Sequence, residues 1–309
     1  MSQAEAPIQH QVAGNGIQLS VLELGPRDAP CLVMLHGLRD TAWSLLPVAR
    51  HLAERTAQPY RVLICELRGH GASNHSAAYS MPDFLLDLHA VINALTPKGC
   101  ALFGHSLGGH IVTKYAALFQ ELVAALVVVE GLGPPRRPHE GNDIAELQAY
   151  RNMLLTRAIT RAGPGKPISD LDEVVDRLCR NNPRLDGRAA KEFAPHLVNE
   201  STEGLQWAFD SRANSVFLGT STTDNMRFWR QVRAPACIVS GTLSHEYWGR
   251  EMGDETFTGH FAEGEMAQRV NMFPNAQHHW FEHSGHMVHY DEPNRLARLT
   301  AKFLEENHV

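Results

Sequence analysis

Two hydrophobic patterns alternate along the first third of the chain. Largely continuous apolar runs at Cys31–Leu35 (CLVML), Arg61–Cys65 (RVLIC), 100–103 (CALF) and Val123–Val129 (VAALVVV) read as strands buried on both faces. Between them, residues 43–55, 82–95 and 107–119 carry apolar side chains at helical spacing. Strand, helix and strand repeated in this way predict a parallel sheet with helices on both sides. Ahead of them, 8–12 and 17–24 flank the turn Gly14-Asn15-Gly16 and read as a hairpin that forms an antiparallel edge.

The pattern changes after Glu130. Residues 131–138 (GLGPPRRP) form a Gly/Pro linker, and 142–233 show helical periodicity with no convincing buried strand, punctuated by Pro167, Pro183 and Pro195. Strand character returns at 237–240 and 277–281, and an amphipathic helix at Pro293–Glu306 closes the pattern. The expected organisation is an α/β core, 1–133 and 235–309, interrupted by a helical cap at 134–234.

Composition narrows the function classes. With 28 Lys+Arg against 34 Asp+Glu, the net charge of −6 excludes a broadly basic nucleic-acid binder. The longest aliphatic run, 122–129, falls far short of the roughly 20 residues of a membrane-spanning helix, so no membrane partner is expected. Residues 1–10 carry neither the basic nor the apolar part of a secretion signal, which leads us to expect a cytoplasmic protein. The five cysteines (31, 65, 100, 179 and 237) are scattered, without CxxC or zinc-like spacing, and read as free thiols. No phosphate-binding or dinucleotide glycine loop stands in a supporting context, so neither metal nor cofactor is expected.

The candidate chemistry begins where the strand at 100–103 runs into Gly104-His105-Ser106-Leu107-Gly108-Gly109 and a helix follows. G-x-S-x-G in a strand-turn-helix setting exposes a serine on a sharp turn, with small neighbours that let strand and helix approach. A serine hydroxyl needs a base, and His286 is placed for it, just after the last strand and before the final helix, on the same sheet edge as Ser106. His278, His279 and His289 are less suitably placed. Charge developing on a substrate oxygen needs backbone N–H donors, and those of Leu38, after His36-Gly37, and Leu107 are expected to supply them.

With HGL at 36–38, LRGHGAS at 67–73, GHSLGG at 104–109 and SGHMVHYDEP at 284–293 in this order, the chain resembles the α/β-hydrolase family, lid-bearing serine hydrolase branch, over nearly its whole length. The resemblance implies an eight-stranded, mostly parallel sheet with the helical cap between strands six and seven. Where the family usually carries its triad acid, three residues past the glycine ending strand seven, this chain has Ser244. Some members carry the acid at the end of strand six, which makes Glu130 the leading acid here, with Glu246 in reserve. A serine nucleophile argues for an acyl-enzyme route. The expectation is hydrolysis of a small-molecule carboxylic ester, with thioesters and lactones as neighbouring substrates. Alternatives are a cofactor-free C–C bond hydrolase, a haloperoxidase-like member, or a non-enzymatic ligand receptor. Trp43, Trp207, Phe209, Phe228 and Trp229 are candidates to line an apolar acyl pocket, or else to pack the cap. Arg136-Arg137 reads as a solvated linker, and His70 is expected to steady the loop after its strand.

Overall fold

The computed structural model describes residues 6–54, 56, 58–136, 143–160, 167–202, 204–217, 222–252 and 257–309. Strands β1 (Ile8–Ala13) and β2 (Gln18–Leu24) pair antiparallel across the Gly14-Asn15-Gly16 turn. Then come β3 (Cys31–Leu35), β4 (Arg61–Cys65), β5 (Cys100–His105) and β6 (Val123–Val129). A separate hairpin, β7 (Val198–Ser201) and β8 (Gly204–Trp207), precedes β9 (Ala236–Gly241) and β10 (Ala276–Phe281). The main sheet has eight strands in the order β1-β2-β4-β3-β5-β6-β9-β10. β2 meets β4 antiparallel, and the pairs from β4 to β10 are parallel.

Alternation along the strands sorts the core into two layers. Leu32 and Met34 face α1 (Leu46–Glu54) and α11 (Pro293–Glu306), which supply Val48, Leu52, Leu296 and Phe303. Val33 and Leu35 face α2 (Met81–Leu95) and α3 (Leu107–Leu118), which supply Phe84, Leu88, Ile111 and Tyr115. All the parallel strands point their carboxyl ends to one edge, and the functional loops gather there.

The insert between β6 and β9 holds α4 (Asp143–Thr160), α5 (Leu171–Asn181), α6 (Gly187–Phe193), the β7–β8 hairpin and α7 (Thr222–Trp229). Asp170 starts α5 by accepting the Glu173 N–H at 2.9 Å, and Asp186 starts α6 by accepting the Arg188 N–H at 2.8 Å. Ile168, Val174, Ala194 and Val198 form a small core of the insert, and Leu185, Phe193 and Leu197 pack against Tyr290 of the sheet domain. The hairpin departs from the all-helical expectation. Its strands are short, with Val198 the one buried residue in them, so they lack the continuous apolar run that marks a buried strand. The end of the stretch assigned to the cap also behaves differently, because Ala213, Val216 and Trp229 join the core beneath the sheet and Asn225 of α7 accepts from Lys114 of α3.

The remaining helices are α8 (His245–Met252), α9 (Glu265–Val270) and α10 (Val288–Asp291). Among the described residues no helix is long and apolar enough to cross a membrane.

Candidate active site

Ser106 alone makes the corner between β5 and α3, with φ 52° and ψ −115°. Holding a non-glycine residue there costs on the order of 1–3 kcal/mol and is tolerated only where the surroundings enforce it. Here they do. A Cβ on Gly104 would stand 2.3 Å from the Gly108 carbonyl oxygen, and one on Gly108 would stand 2.4 Å from that of Leu35. Only glycines let strand and helix approach this closely. The Ser106 N–H then donates to Val129 O at 2.9 Å.

Glu130 repeats the device one strand over. It too has a positive φ, 52°, and its N–H donates to Val239 O at 2.9 Å. The turn sends its carboxylate across the end of β9, where Oε1 accepts the Gly241 N–H at 2.7 Å. Its other oxygen, Oε2, lies 3.0 Å from Nδ1 of His286, and both side chains are buried. A carboxylate only accepts, so Nδ1 carries the proton and Nε2 is the bare, basic nitrogen. Nε2 is buried, and it has no hydrogen-bond partner among the described residues.

The imidazole is clamped by two rings that sequence reading missed. Tyr247 stacks on it at 4.0 Å between centroids and 8° between planes, and Trp248 meets it edge-on at 4.9 Å. Both come from α8, which lacks a clear apolar period and so gave no signal. Ser244, in the place of the commoner acid, turns its hydroxyl back to donate to Gly241 O at 2.8 Å. Glu246 does not reach the histidine. It pairs with Arg184 of the insert at 2.8 Å, and the same guanidinium holds Asp291 at 3.0 Å. Arg184 therefore fastens the insert to α8 and to the segment that follows His286.

The turn His36-Gly37-Leu38 lies against the elbow, with Gly108 N–H donating to His36 O at 3.1 Å. Neither the Leu38 N–H nor the Leu107 N–H meets an acceptor among the described residues. The next amide, that of Arg39, is taken by His70 Nε2 at 3.1 Å, while His70 Nδ1 donates to Arg68 O at 3.0 Å. His70 thus bonds its own loop, as expected, and supports the turn as well. Burial, aided by the His36 charge, pushes its pKa down to about 3, which keeps Nε2 an acceptor. Burial opposes charge on His36 as well, but the Glu66 carboxylate 3.1 Å away outweighs it and raises that pKa.

The five aromatic candidates separate. Trp43 stacks on His196 of the insert at 3.7 Å, Trp207 stacks on Phe209 at 5.8 Å, and Phe209 lies 6.4 Å from the His70 ring. These three stand at the seam between sheet and insert. Phe228 and Trp229 do not. Phe228 lies under the Lys114 ammonium on the flank of α3, and Trp229, fully buried, stacks on Phe273. Of the two readings open for these residues, packing is the one their contacts match: α7 lies against α3, and helical spacing alone does not say which partner a face meets.

Among the described residues, Asp40, His105 and His289 have ligand atoms close enough to share a metal ion. Asp40 and Nε2 of His289 are bonded to each other, while Nδ1 of His105 and Nδ1 of His289 are buried with no hydrogen-bond partner among the described residues. The Asp40 carboxylate accepts from Thr41 N–H, Ser44 Oγ, His289 Nε2 and Tyr290 OH, at 2.8 to 3.1 Å. Burial opposes charge on Asp40, but its bond to His289 and that ring's charge outweigh this and hold its carboxyl well below the usual range.

With this geometry in place, the comparison with known proteins is direct. The model of the alpha/beta hydrolase family matches residues 32–299. The chain belongs to that family. This α/β-hydrolase is 24% identical over 285 residues to the sn-1-specific diacylglycerol lipase ABHD11 of Danio rerio, covering 91% of this chain and 80% of that lipase. It is 23% identical over 301 residues to Serine hydrolase-like protein 2 of Homo sapiens, covering 92% and 90%. Its structure superposes with a TM-score of 0.74 on the thioesterase domain from the curacin biosynthetic pathway, at 22% identity and 96% and 99% coverage. At that identity the shared property is the fold.

Proposed function

We propose that the chain is a serine hydrolase that cleaves a small-molecule carboxylic ester through an acyl-enzyme, with Ser106 as nucleophile, His286 as base and Glu130 as the acid of the triad. Ester hydrolysis in general is the activity that its esterase- and lipase-type relatives carry. The observation that carries the finer reading is the bond from His286 Nδ1 to Glu130, which leaves a bare Nε2 on the sheet edge where Ser106 stands at a strained turn.

In this reading Nε2 takes the Ser106 proton as Oγ attacks the ester carbonyl. The tetrahedral oxyanion is met by the N–H groups of Leu38 and Leu107. Collapse expels the alcohol, which leaves with the proton from His286. A water, deprotonated by the same nitrogen, then attacks the acyl-serine; the acyl–Oγ bond breaks, Oγ takes the proton back from His286 and the acid is released. Glu130 keeps the imidazole oriented and steadies its charged form. The seam residues Trp43, Trp207 and Phe209 suit an apolar acyl or alcohol group.

The test is a panel of p-nitrophenyl esters of graded chain length, with thioesters and lactones beside them, on wild type and Ser106→Ala. The reading requires ester turnover that falls by about three orders of magnitude or more in the variant. Retention of more than about a tenth of the rate by a folded variant would overturn it.

A further inference from the structure

We propose that His105, the residue between Gly104 and Ser106, is a positioning residue that holds the backbone of His286 and so locks nucleophile, base and oxyanion turn into one unit. The proposal rests on the reading of Ser106 and His286 as nucleophile and base. It adds a residue that touches neither substrate nor the reacting atoms.

Three contacts carry it. Nε2 of His105 lies 2.9 Å from the carbonyl oxygen of His286, and a carbonyl only accepts, so this nitrogen holds the proton and donates. The ring is fully buried, and it faces His289 at 4.4 Å and His286 at 5.1 Å between centroids. Burial first, then these two histidines, pushes its pKa well below the ordinary value against the opposing pull of Asp40 and of the bond to the His286 carbonyl, so the imidazole stays neutral with one N–H committed. Finally, a Cβ on Gly37 would stand 3.0 Å from His105 Nδ1 and 3.1 Å from Ser106 Cβ, so the oxyanion turn lies directly on this ring.

The loop held by His105 is anchored a second time a few residues on. Asp40, at the far end of the oxyanion turn, binds His289 and Tyr290 of α10 at 3.1 and 2.8 Å. His105 fixes the loop at His286 itself, and Asp40 fixes it three and four residues later. A base carried on a loop between two strand ends keeps its angstrom-level register with Ser106 only if its own backbone is tied, and misplacement by about 1 Å costs on the order of a hundredfold.

His105→Phe keeps the ring and removes the donor, whereas His105→Gln places an amide N–H at similar reach. With a p-nitrophenyl ester, His105→Phe is expected to lower kcat by about tenfold to a hundredfold with KM changed by less than about twofold. His105→Gln is expected to recover most of that loss. The low-field proton resonance of His286 Nδ1 should persist in wild type and His105→Gln and broaden in His105→Phe. A His105→Phe kcat equal to wild type, or equal losses in both folded variants, would overturn the proposal. If His105→Phe does not fold, nitrogen NMR of the wild type decides: a protonated Nδ1 and bare Nε2 on His105 would overturn it. Ser106→Ala in the same assay separates the two readings. An inactive Ser106→Ala beside a fully active His105→Phe sinks only the positioning role, while an active Ser106→Ala sinks the triad beneath it.

Discussion

Glu130 gives one carboxylate oxygen to Nδ1 of His286, at 3.0 Å, and the other to the backbone N–H of Gly241, at 2.7 Å. Both oxygens are committed, so the carboxylate cannot swing and is fixed by the strand next door. On the proposed triad, Ser244 can occupy the place after β9 because a carboxylate from the end of β6 reaches the same histidine.

Glu130→Gln should lower kcat by about two to four orders of magnitude with little change in KM. The Gln carbonyl would accept from Gly241, turning its NH2 toward Nδ1 and forcing the imidazole proton onto Nε2, where it blocks proton abstraction. Glu246→Gln should leave kcat within about twofold, since Arg184 retains Asp291 and a half-exposed pair contributes less than about 1 kcal/mol. Steady-state kinetics of the two variants decide the matter. A crippled Glu246→Gln beside a silent Glu130→Gln would reverse the assignment.

The oxyanion turn should depend on His70. His70→Phe removes the acceptor of the Arg39 N–H, which lets the neighbouring Leu38 amide drift. We expect kcat to fall about tenfold to a hundredfold in a folded protein, less than outright loss of an oxyanion donor. An unchanged kcat would show that the turn is held without it.

Acid should unfold this protein steeply. His70, with a pKa near 3, and His105 and His110, both pushed well below the ordinary histidine value by burial, stay neutral when folded but protonate near pH 6.5 when unfolded. Between those limits the unfolded chain binds more protons, so the contribution of these three residues is full above about pH 7 and is lost as the pH falls, by up to about 1.4 kcal/mol per unit for each. Urea unfolding at pH 7 and pH 5 measures this. The same midpoint at both pH values would contradict it, and His110→Leu should flatten the slope.

The two sets of aromatics should respond differently. Trp229→Ala empties a fully buried site and should cost about 3–5 kcal/mol of stability while leaving relative rates across the ester panel unchanged. Trp207→Ala, at the half-buried seam, should shift those relative rates at smaller cost to the fold. Thermal unfolding and the ester panel, run on both variants, check the contrast.

Much of this was legible in the chain. β3, β4 and β6 and the closing helix α11 begin and end where the apolar pattern does, because a strand buried on both faces admits little but apolar residues and α11 has one clean apolar stripe. The approach of Glu130 to His286 was legible too, from the serine that stands where an acid is usual. What the pattern hid was the partner of each face and the state of each histidine. The apolar face of α7 could have met the insert or α3. His70 is buried and bonded through both ring nitrogens, His105 is buried and bonded through Nε2, and an imidazole in a string of letters carries no mark of its burial. The β7–β8 hairpin was invisible because its strands are short and wet.

The most direct measurement is the mass of the protein caught during turnover. With a p-nitrophenyl ester, acid quenching followed by intact-mass analysis and peptide mapping should find one acyl group, on Ser106, matched by a burst of p-nitrophenol equal to the enzyme present. Ser106→Ala should show neither adduct nor burst, and His286→Ala should lose turnover to the same extent, since nucleophile and base act as one unit. Turnover with no adduct on Ser106, or an adduct mapped to another residue, would contradict the account.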